Sequence, residues 1–396
     1  MINTCILCIL KPTNPTLYIY IQLRFVRAHT LFFLSNLLHH QMVYSNYFVT
    51  GASGLLGSQI VQKLLDAGHT VRGSARGEKV SQLEKVFRGY KKFSVIDIPD
   101  LSTSNLGDAF EDIEVLIHVA AFLPSFRGDI EVVKRFSTEG TERILDSARK
   151  AGVKTIIVTG SQVTYNIDGP IGPQDWRSVT FEDAQKTTEA QHFVVYIAQK
   201  IISEQTMLNW AEKHRDVRVV IIDPTYIFGP FVPNYKYIVN HPKLYGLESS
   251  NYFVHFLLRP ENKVFVVYPG WMDVRDIVDA HINAVHNKAI DELVPKDRRF
   301  ILGAPEDHDW KKVIPQIIEA RPHLADRLCS PEKAPVFPMQ VTDLSRTERY
   351  LGIKAGSYTS FRKSIVDTID SILDIEAYWK EQGIEDLSLP NEPLFN

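Results

Sequence analysis

Several features that mark whole classes of protein are scarce or absent in this sequence. Only three of the 396 residues are cysteines, which is too few for a disulfide framework and favours a reducing compartment. Two of them, Cys5 and Cys8, form a single C-x-x-C without a second ligand pair, so the sequence does not predict a metal site. No internal repeat and no low-complexity tract is present. An ordinary globular protein is therefore expected.

An excess of charge of one sign is also missing. The 44 lysines and arginines nearly balance the 47 aspartates and glutamates, which gives a formal net charge of −3. Nucleic acids and anionic membranes attract basic surfaces, so neither is expected as a partner. At 44% hydrophobic and 23% charged residues, the composition is that of a soluble globular protein, and the length suggests about two domains.

The N-terminal segment, residues 1–41, lacks a hydrophobic run long enough to cross a bilayer. About 20 consecutive apolar residues are needed, and Arg24, Arg27 and His29 interrupt the apolar stretch. The segment also has no acidic residue, few serines and many aromatic residues. We expect an extension outside the fold of a cytoplasmic protein. A mitochondrial presequence is the alternative, because such signals are also basic and free of acidic residues.

The chain does contain a glycine-rich motif, TGASGLLG at residues 50–57. An apolar run precedes it, and residues with helical periodicity, Leu56, Ile60 and Leu64, follow. Glycines between a strand and a helix let backbone N–H groups approach a pyrophosphate, and the helix N-terminus favours its negative charge. The motif predicts a dinucleotide site, with a purely structural glycine turn as the alternative.

Short apolar runs then alternate with amphipathic segments, which predicts an α/β fold with a doubly wound parallel sheet. Further strands are predicted at 70–75, 93–98, 115–119, 155–159 and 217–222. Ligands bind such sheets at the carboxyl ends of the strands. Residues at or just after these ends are therefore candidates for the site.

The end of the second predicted strand indicates which dinucleotide is bound. NAD-selective sites usually place Asp or Glu here, whereas this chain has Arg76, followed by Lys79. An arginine pairs well with a ribose 2′-phosphate, and the lysine adds a second positive charge. We expect NADP(H) rather than NAD(H). At the next strand ends, Asp97 and Ile98 could contact adenine, with a loop-capping aspartate as the alternative for Asp97. The small Ala120 and Ala121 leave room for the cofactor.

Ser161, Tyr196 and Lys200 are the candidates for chemistry. Ser161 follows the strand predicted at 155–159, while Tyr196 and Lys200 are four residues apart in a segment of helical pattern and so share one face. Moving a hydride to a carbonyl carbon requires a proton at the oxygen, which Tyr196 could supply. The Lys200 ammonium would favour the phenolate and hold the cofactor ribose, and Ser161 would orient the carbonyl. A Tyr–Lys pair alone is a weak signal; its order after the glycine motif favours the catalytic interpretation.

Together these residues resemble the extended short-chain dehydrogenase/reductases, the NAD-dependent epimerase/dehydratase superfamily. The closest likeness is to its dihydroflavonol-reductase-like branch and to fungal aldehyde/ketone (methylglyoxal-type) reductases. The motifs that carry it are TGASGLLG at 50–57, VRGSAR at 71–76, LIHVAA at 116–121, VTGSQVTY at 158–165, YIAQK at 196–200, DPTYIFGP at 223–230 and WMDVRDIVDAH at 271–281.

This resemblance implies a Rossmann cofactor domain at 42–230, to which the chain returns at about 266–290. Residues 231–265 and 291–396 would form a smaller substrate-binding domain. It implies Ser161, Tyr196 and Lys200 as the catalytic residues. The implied cofactor contacts are Gly51, Ser53, Gly54, Leu55, Leu56, Gly57, Arg76, Lys79, Asp97, Ile98, Ala120, Ala121, Thr159, Tyr196, Lys200 and Pro224.

Three residues depart from the family pattern: Gly160 and Gln199 stand where serine is usual, and Asp223 stands where asparagine is usual. The function implied is NADP(H)-dependent reduction of a small aldehyde or ketone to an alcohol by a monomer or homodimer. The alternatives are a sugar-nucleotide epimerase or dehydratase, a 3β-hydroxysteroid-type dehydrogenase, and a non-catalytic NADP(H)-sensing regulator.

Overall fold

A computed structural model describes residues 45–121, 130–166, 171–186, 191–247, 250–266, 269–339 and 342–389. The N-terminal segment 1–41 lies outside these residues, so its interpretation as an extension or a presequence stays a prediction. Within the described ranges, no helix is both long and apolar enough to span a membrane.

The described chain forms a seven-stranded sheet in which every neighbouring pair of strands is parallel. The strand order is β3-β2-β1-β4-β5-β6-β9. The order reverses between β1 and β4, which is where doubly wound sheets bind ligands. The predicted fold class is confirmed. The strands are β1 (Asn46–Thr50), β2 (Thr70–Ala75), β3 (Phe93–Asp97), β4 (Val115–His118), β5 (Thr155–Thr159), β6 (Arg218–Pro224) and β9 (Arg299–Leu302).

Apolar residues alternate between the two faces of the sheet, because successive strand side chains point in opposite directions. On β1, Tyr47 and Val49 pack into one hydrophobic cluster, while Phe48 packs into another. The same alternation separates Ile157 from Ile156 on β5. Both faces are thus buried, as in parallel sheets covered by helices.

Helices cover both faces of the sheet. The first face carries α1 (Leu55–Asp66), α2 (Lys79–Val86) and α8 (Val274–His286), and the second carries α4 (Thr141–Lys150) and α6 (Gln191–Lys213). The remaining helices are α3 (Ile130–Arg135), α5 (Phe181–Lys186), α7 (Asn251–Phe256), α9 (Trp310–Ala320), α10 (Leu344–Leu351) and α11 (Phe361–Glu381). Two small sheets pair β7 (Tyr226–Phe228) with β8 (Trp271–Asp273), and β10 (His308–Asp309) with β11 (Val336–Phe337).

A π-helical turn, Phe136–Gly140, joins α3 to α4 in one continuous helical segment. A Cβ atom at Gly140 would lie 2.9 Å from the Cβ atom of Ser102. A glycine at this position therefore permits close packing of the turn on the neighbouring loop.

The seventh strand, β9, comes from far along the chain and pairs with β6. It lies inside the segment 291–396 that the resemblance assigns to the substrate-binding domain. The main sheet therefore draws on that segment as well. The division into a cofactor domain and a substrate domain otherwise stays a prediction.

The glycine turn follows β1 and leads into α1. Gly51 has a φ of +67°, which favours glycine, and its carbonyl oxygen accepts the N–H of Gly54 at 3.1 Å. A Cβ atom at Gly57 would lie 2.1 Å from this same carbonyl oxygen. The third glycine is therefore required by the packing of the helix against the turn.

The Gly57→Ala substitution tests this packing. Alanine is intrinsically better in a helix by about 1 kcal/mol, but here its methyl group would overlap backbone atoms that cannot rotate away. We expect a net loss of about 1–3 kcal/mol in the free energy of unfolding, measured by urea denaturation. Gly89→Ala is the control, since a Cβ atom there meets nothing within 4 Å. Equal stability of the two variants would contradict the assignment.

Candidate active site

A cavity of about 770 Å³ opens at the carboxyl edge of the sheet. It brings together residues from the ends of β1, β2, β4, β5 and β6 and from helix α6. The predicted residues that line it are Gly51, Ser53, Gly54, Leu55, Leu56, Gly57, Arg76, Lys79, Ile98, Ala120, Ala121, Thr159, Ser161, Tyr196, Lys200 and Pro224. Their roles as ligands of a cofactor stay predictions.

Asp97 is the one predicted site residue that does not line the cavity. Its side-chain oxygen Oδ1 accepts the backbone N–H of Gly77 at 3.1 Å. Asp97 thus holds the loop that carries Arg76, as the loop-capping alternative expects. Its role as an adenine acceptor stays a prediction.

Arg76 and Lys79 line the cavity beside the end of β2. Arg76 is exposed directly after β2, and Lys79 is half-buried at the start of α2. Neither side chain forms an ion pair with another residue in the described part of the chain. Two positive charges are therefore available to an anion at this end.

Tyr196 and Lys200 lie one turn apart on α6, and both line the cavity. The Lys200 Nζ atom donates to the carbonyl oxygens of Thr159 at 3.3 Å and Gly160 at 3.5 Å. It lies 6.0 Å from the centre of the Tyr196 ring. Lys200 is buried, with only 9% of its surface exposed. The end of β5 thus fixes the ammonium group beside the tyrosine.

Ser161 also lines the cavity, and its backbone is held from behind. The Ser161 N–H lies between two carboxylate oxygens, Glu204 Oε1 at 3.2 Å and Asp223 Oδ1 at 3.0 Å. The Ser161 hydroxyl oxygen accepts the N–H of Val163 at 3.4 Å. This bond leaves the hydroxyl hydrogen available to donate towards the cavity.

Gly160 leaves room for these two carboxylates. A Cβ atom at Gly160 would lie 1.8 Å from Asp223 Oδ1 and 2.6 Å from Glu204 Oε1. Sequence reasoning recorded Gly160 and Asp223 as separate departures from the family pattern. In the structure they are one arrangement, since the missing side chain of one gives space to the carboxyl group of the other.

Two buried histidines support the site, and sequence reasoning assigned neither a role. His118 Nδ1 lies 2.8 Å from the Thr50 hydroxyl, which accepts the N–H of Ala120. Burial, together with the positive charge of Lys200, lowers the pKa of His118 to about 4, so the ring is neutral at pH 7. His281 Nε2 lies 2.9 Å from the Thr159 hydroxyl. The histidines thus fix the ends of β4 and β5 without adding charge.

Sequence reasoning also missed Glu204 and Arg299. Glu204 comes four residues after Lys200, so a charged residue on the same, largely buried helix face was a usable signal. Arg299 lies in a short apolar strand, with no neighbouring motif that points to the site. Only the pairing of β9 with β6 brings it there.

Five aromatic side chains also line the cavity. They are Phe136, Phe193, Tyr226, Phe253 and Phe265. Asp100 is the only acidic residue among the described residues of the lining. The cavity therefore brings two cations that follow β2 and a set of apolar rings together with Tyr196, Lys200 and Ser161. In the described residues, no group of three or more histidine, cysteine or acidic side chains could hold a metal ion.

Comparisons with known proteins agree with this geometry. The model of the NAD dependent epimerase/dehydratase family matches residues 47–246. An NADPH-dependent methylglyoxal reductase of Saccharomyces cerevisiae is 26% identical over 286 residues, which cover 64% of this chain and 79% of that protein. A ketoreductase of Aspergillus novofumigatus is 26% identical over 348 residues, covering 82% and 96%. The solved NADPH complex of Gre2 from Candida albicans superposes with a TM-score of 0.68 at 20% identity, covering 84% and 99%, and so shares the fold.

The Gly160→Ala substitution tests the packing behind Ser161. The new methyl group would displace the carboxyl groups of Asp223 and Glu204 in a site without free space. We expect the free energy of unfolding to fall by about 1–3 kcal/mol, measured by denaturant titration. Gly356→Ala is the matched control, because a Cβ atom there meets nothing within 4 Å. Full stability of the Gly160 variant would show that the carboxyl groups are not held there.

Proposed function

Because the chain belongs to the NAD dependent epimerase/dehydratase family, we propose that it is an NADP(H)-dependent oxidoreductase that reduces an aldehyde or ketone to an alcohol. The observation that carries the proposal is a single cavity that brings Tyr196, Lys200 and Ser161 together with Arg76, Lys79 and apolar aromatic side chains. Family membership confirms the resemblance drawn from the motifs.

The residues present fit an NADP(H) molecule. Gly51, Gly54 and Leu55 line the cavity at the start of α1, so a pyrophosphate can approach the backbone of the glycine turn and the helix N-terminus there. Arg76 and Lys79 would hold the ribose 2′-phosphate, and Lys200 would hold the nicotinamide ribose. The names of the methylglyoxal reductase and of the Gre2 complex also include NADPH. When bound, the cofactor supplies the hydride.

The chain's own residues would manage the proton. In our proposal, Tyr196 donates its phenolic proton to the carbonyl oxygen as negative charge develops there. The Ser161 hydroxyl donates a hydrogen bond to the same oxygen and fixes its position. The Lys200 ammonium, held by the carbonyl oxygens at the end of β5, balances the phenolate that remains. Acid–base help of this kind contributes roughly 10²–10⁴-fold to a rate.

The aromatic side chains of the lining would hold the part of the substrate beyond its carbonyl group. Phe193, Phe253 and Phe265 offer apolar surfaces, which favour a small carbonyl compound with an apolar substituent. A dehydratase reaction would need carboxylates that face the cavity beside Ser161. Among the described residues of the lining, the only carboxylate is that of Asp100, which follows β3 beyond Ile98. The retained Tyr196 and Lys200 favour an enzyme over a non-catalytic sensor. Reduction of a carbonyl group is therefore the function that the site supports best.

The Tyr196→Phe substitution tests the reaction. Wild-type protein should oxidise NADPH with at least one member of a panel of aldehydes, diketones, flavanonols and ketosteroids. In the variant, kcat should fall by about 10²–10⁴-fold, because the proton donor is gone while the ring remains. The binding constant for NADPH, measured by fluorescence, should change little.

Tyr237→Phe is the control for this loss. Tyr237 packs on Tyr378 and does not line the cavity, so the same chemical change there should leave kcat intact. Wild-type protein that binds NADPH but oxidises none of it with any panel member would favour the sensor. Activity that survives in Tyr196→Phe would exclude Tyr196 as the proton donor.

The Arg76→Glu substitution tests cofactor choice. A charged hydrogen bond to the 2′-phosphate is worth about 1.5–3 kcal/mol, so KM for NADPH should rise roughly tenfold to a hundredfold. KM for NADH should stay within a few-fold, since NADH has no such phosphate. Arg88→Glu makes the same charge change at an exposed arginine outside the cavity and should alter neither constant. An equal effect on both cofactors would remove Arg76 from the phosphate site.

A further inference from the structure

A cluster of three buried charged side chains lies behind Ser161, outside the cavity lining. Glu204 comes from α6, Asp223 from β6 and Arg299 from β9. The Arg299 Nε atom lies 3.0 Å from Glu204 Oε2 and 3.3 Å from Asp223 Oδ2. Their side chains are at most 2% exposed. The cluster therefore joins β9 to α6 and β6, the two elements among the three that supply residues of the cavity lining.

Arg299 also donates hydrogen bonds to residues between β5 and α5. Its guanidinium group donates to the Thr164 hydroxyl and, at 2.7 Å, to the carbonyl oxygen of Asp175. The rings of Tyr165 and Trp176 each lie 3.6 Å from its central carbon atom. The arginine is thus held in one orientation by packing as well as by charge.

The charges in this cluster do not balance if both carboxyl groups are ionised. Two carboxylates would pair with one guanidinium group. The other nearby cation, Lys200, donates to the carbonyl oxygens of Thr159 and Gly160 and forms no ion pair with either carboxylate in the described residues. An unpaired buried charge is costly. Tyr165 donates to Asp223 Oδ2 at 2.8 Å and stays neutral, because burial and then the nearby Asp223 raise the pKa of its phenol. Burial and the neighbouring Glu204 likewise raise the pKa of Asp223 well above its usual range. The groups that face Asp223 are Gly160, Ser161, Tyr165, Lys200, Glu204 and Arg299.

We propose that Glu204, Asp223 and Arg299 are positioning residues for Ser161, and that the two carboxyl groups hold one buried proton at neutral pH. Both carboxyl groups accept the Ser161 N–H, so the cluster sets the orientation of the serine that faces the substrate. With one proton bound, the pair is matched in charge by Arg299. The part that concerns catalysis rests on the proposed function.

The usual asparagine of the family pattern supports this inference. A protonated aspartate and an asparagine have nearly the same shape and are both neutral. In each, one oxygen can accept from Tyr165 and Arg299, while the other position carries hydrogen and can donate towards Glu204, which still accepts the Ser161 N–H. Asp223 can therefore serve as the neutral group that asparagine supplies elsewhere. The Asp223→Asn variant should accordingly preserve the arrangement, and Asp223→Ala should not.

The proton is tested by stability as a function of pH, which needs no enzymatic activity. A carboxyl group whose pKa is raised in the native state stabilises the protein below the unfolded pKa, about 4, and this stabilisation is lost as the pH rises towards the native pKa. From pH 5 to 8, the unfolding constant of wild-type protein relative to Asp223→Asn should rise by up to tenfold per pH unit. Parallel stability curves for the two proteins would overturn the buried proton.

Glu376→Gln provides the control for this titration. Glu376 is equally buried and pairs with Arg327 and His255, but these hydrogen bonds outweigh its burial and lower its pKa to about 2. Its removal should shift the curve without changing its slope relative to wild type between pH 7 and 8, because burial lowers the pKa of its partner His255 and keeps that titration below this range. A change of slope there would show that the method does not isolate Asp223.

Positioning is tested by two measurements on Asp223→Ala and Asp223→Asn. Amide hydrogen exchange at Ser161 should accelerate at least tenfold in Asp223→Ala and stay near the wild-type rate in Asp223→Asn. If the enzyme turns over, kcat should fall by roughly tenfold to a hundredfold in Asp223→Ala, with KM for NADPH unchanged, and the asparagine variant should restore it. Equal effects of the two substitutions, or no effect of alanine, would overturn the positioning role.

A folding defect in one variant, or an inactive wild-type protein, would still leave the inference testable. If Asp223→Ala does not fold, Glu204→Gln replaces it, and this variant should remove the pH dependence of stability as Asp223→Asn does. An inactive wild-type protein would refute the proposed function alone, since stability and amide exchange still decide whether the cluster holds a proton and the Ser161 backbone.

Discussion

The guanidinium group of Arg299 makes the contacts on which the carboxyl edge of this sheet depends. Removing a charge from water costs several kcal/mol, which only close partners offset. Arg299 finds them in Glu204, Asp223 and the aromatic rings of Tyr165 and Trp176. Glu204 lies on α6, Asp223 on β6 and Tyr165 shortly after β5, and residues of α6, of β6 and of the end of β5 line the cavity. The ends of β5 and β6 and the helix α6 are therefore fixed relative to one another by one buried group.

The cavity itself follows from the parallel sheet. Parallel strands all end at the same edge, so this topology alone brings together residues that are far apart in the chain. The glycine turn brings backbone atoms to this edge, and β5 delivers Ser161 beside the helix that carries Tyr196 and Lys200. Neutral buried histidines hold the ends of β4 and β5, so they add no positive charge beside that of Lys200.

The sequence predicts six of the seven strands of the main sheet, the glycine turn and nearly half of the residues that line the cavity, because each has a local pattern. Periodicity marks strands and helices, and glycine is needed where the backbone turns or packs closely. The contact made by Asp97 cannot be predicted from a local pattern. Its carboxyl group could face a ligand or cap a backbone N–H, and only the loop geometry selects Gly77. Glu204 and Arg299 could not be paired from sequence, since their meeting depends on how β9 joins the sheet.

The late position of β9 also has a consequence for how the protein is made. Arg299 and Thr164 are hydrogen-bonded although they lie 135 residues apart in the chain. During synthesis, the first six strands of the sheet emerge from the ribosome long before β9. In that interval, Glu204 and Asp223 have no guanidinium group to compensate them, so the wall behind Ser161 is incomplete. The glycine turn between β1 and α1 can thus form early, whereas the wall behind Ser161 is completed only when β9 has been synthesised.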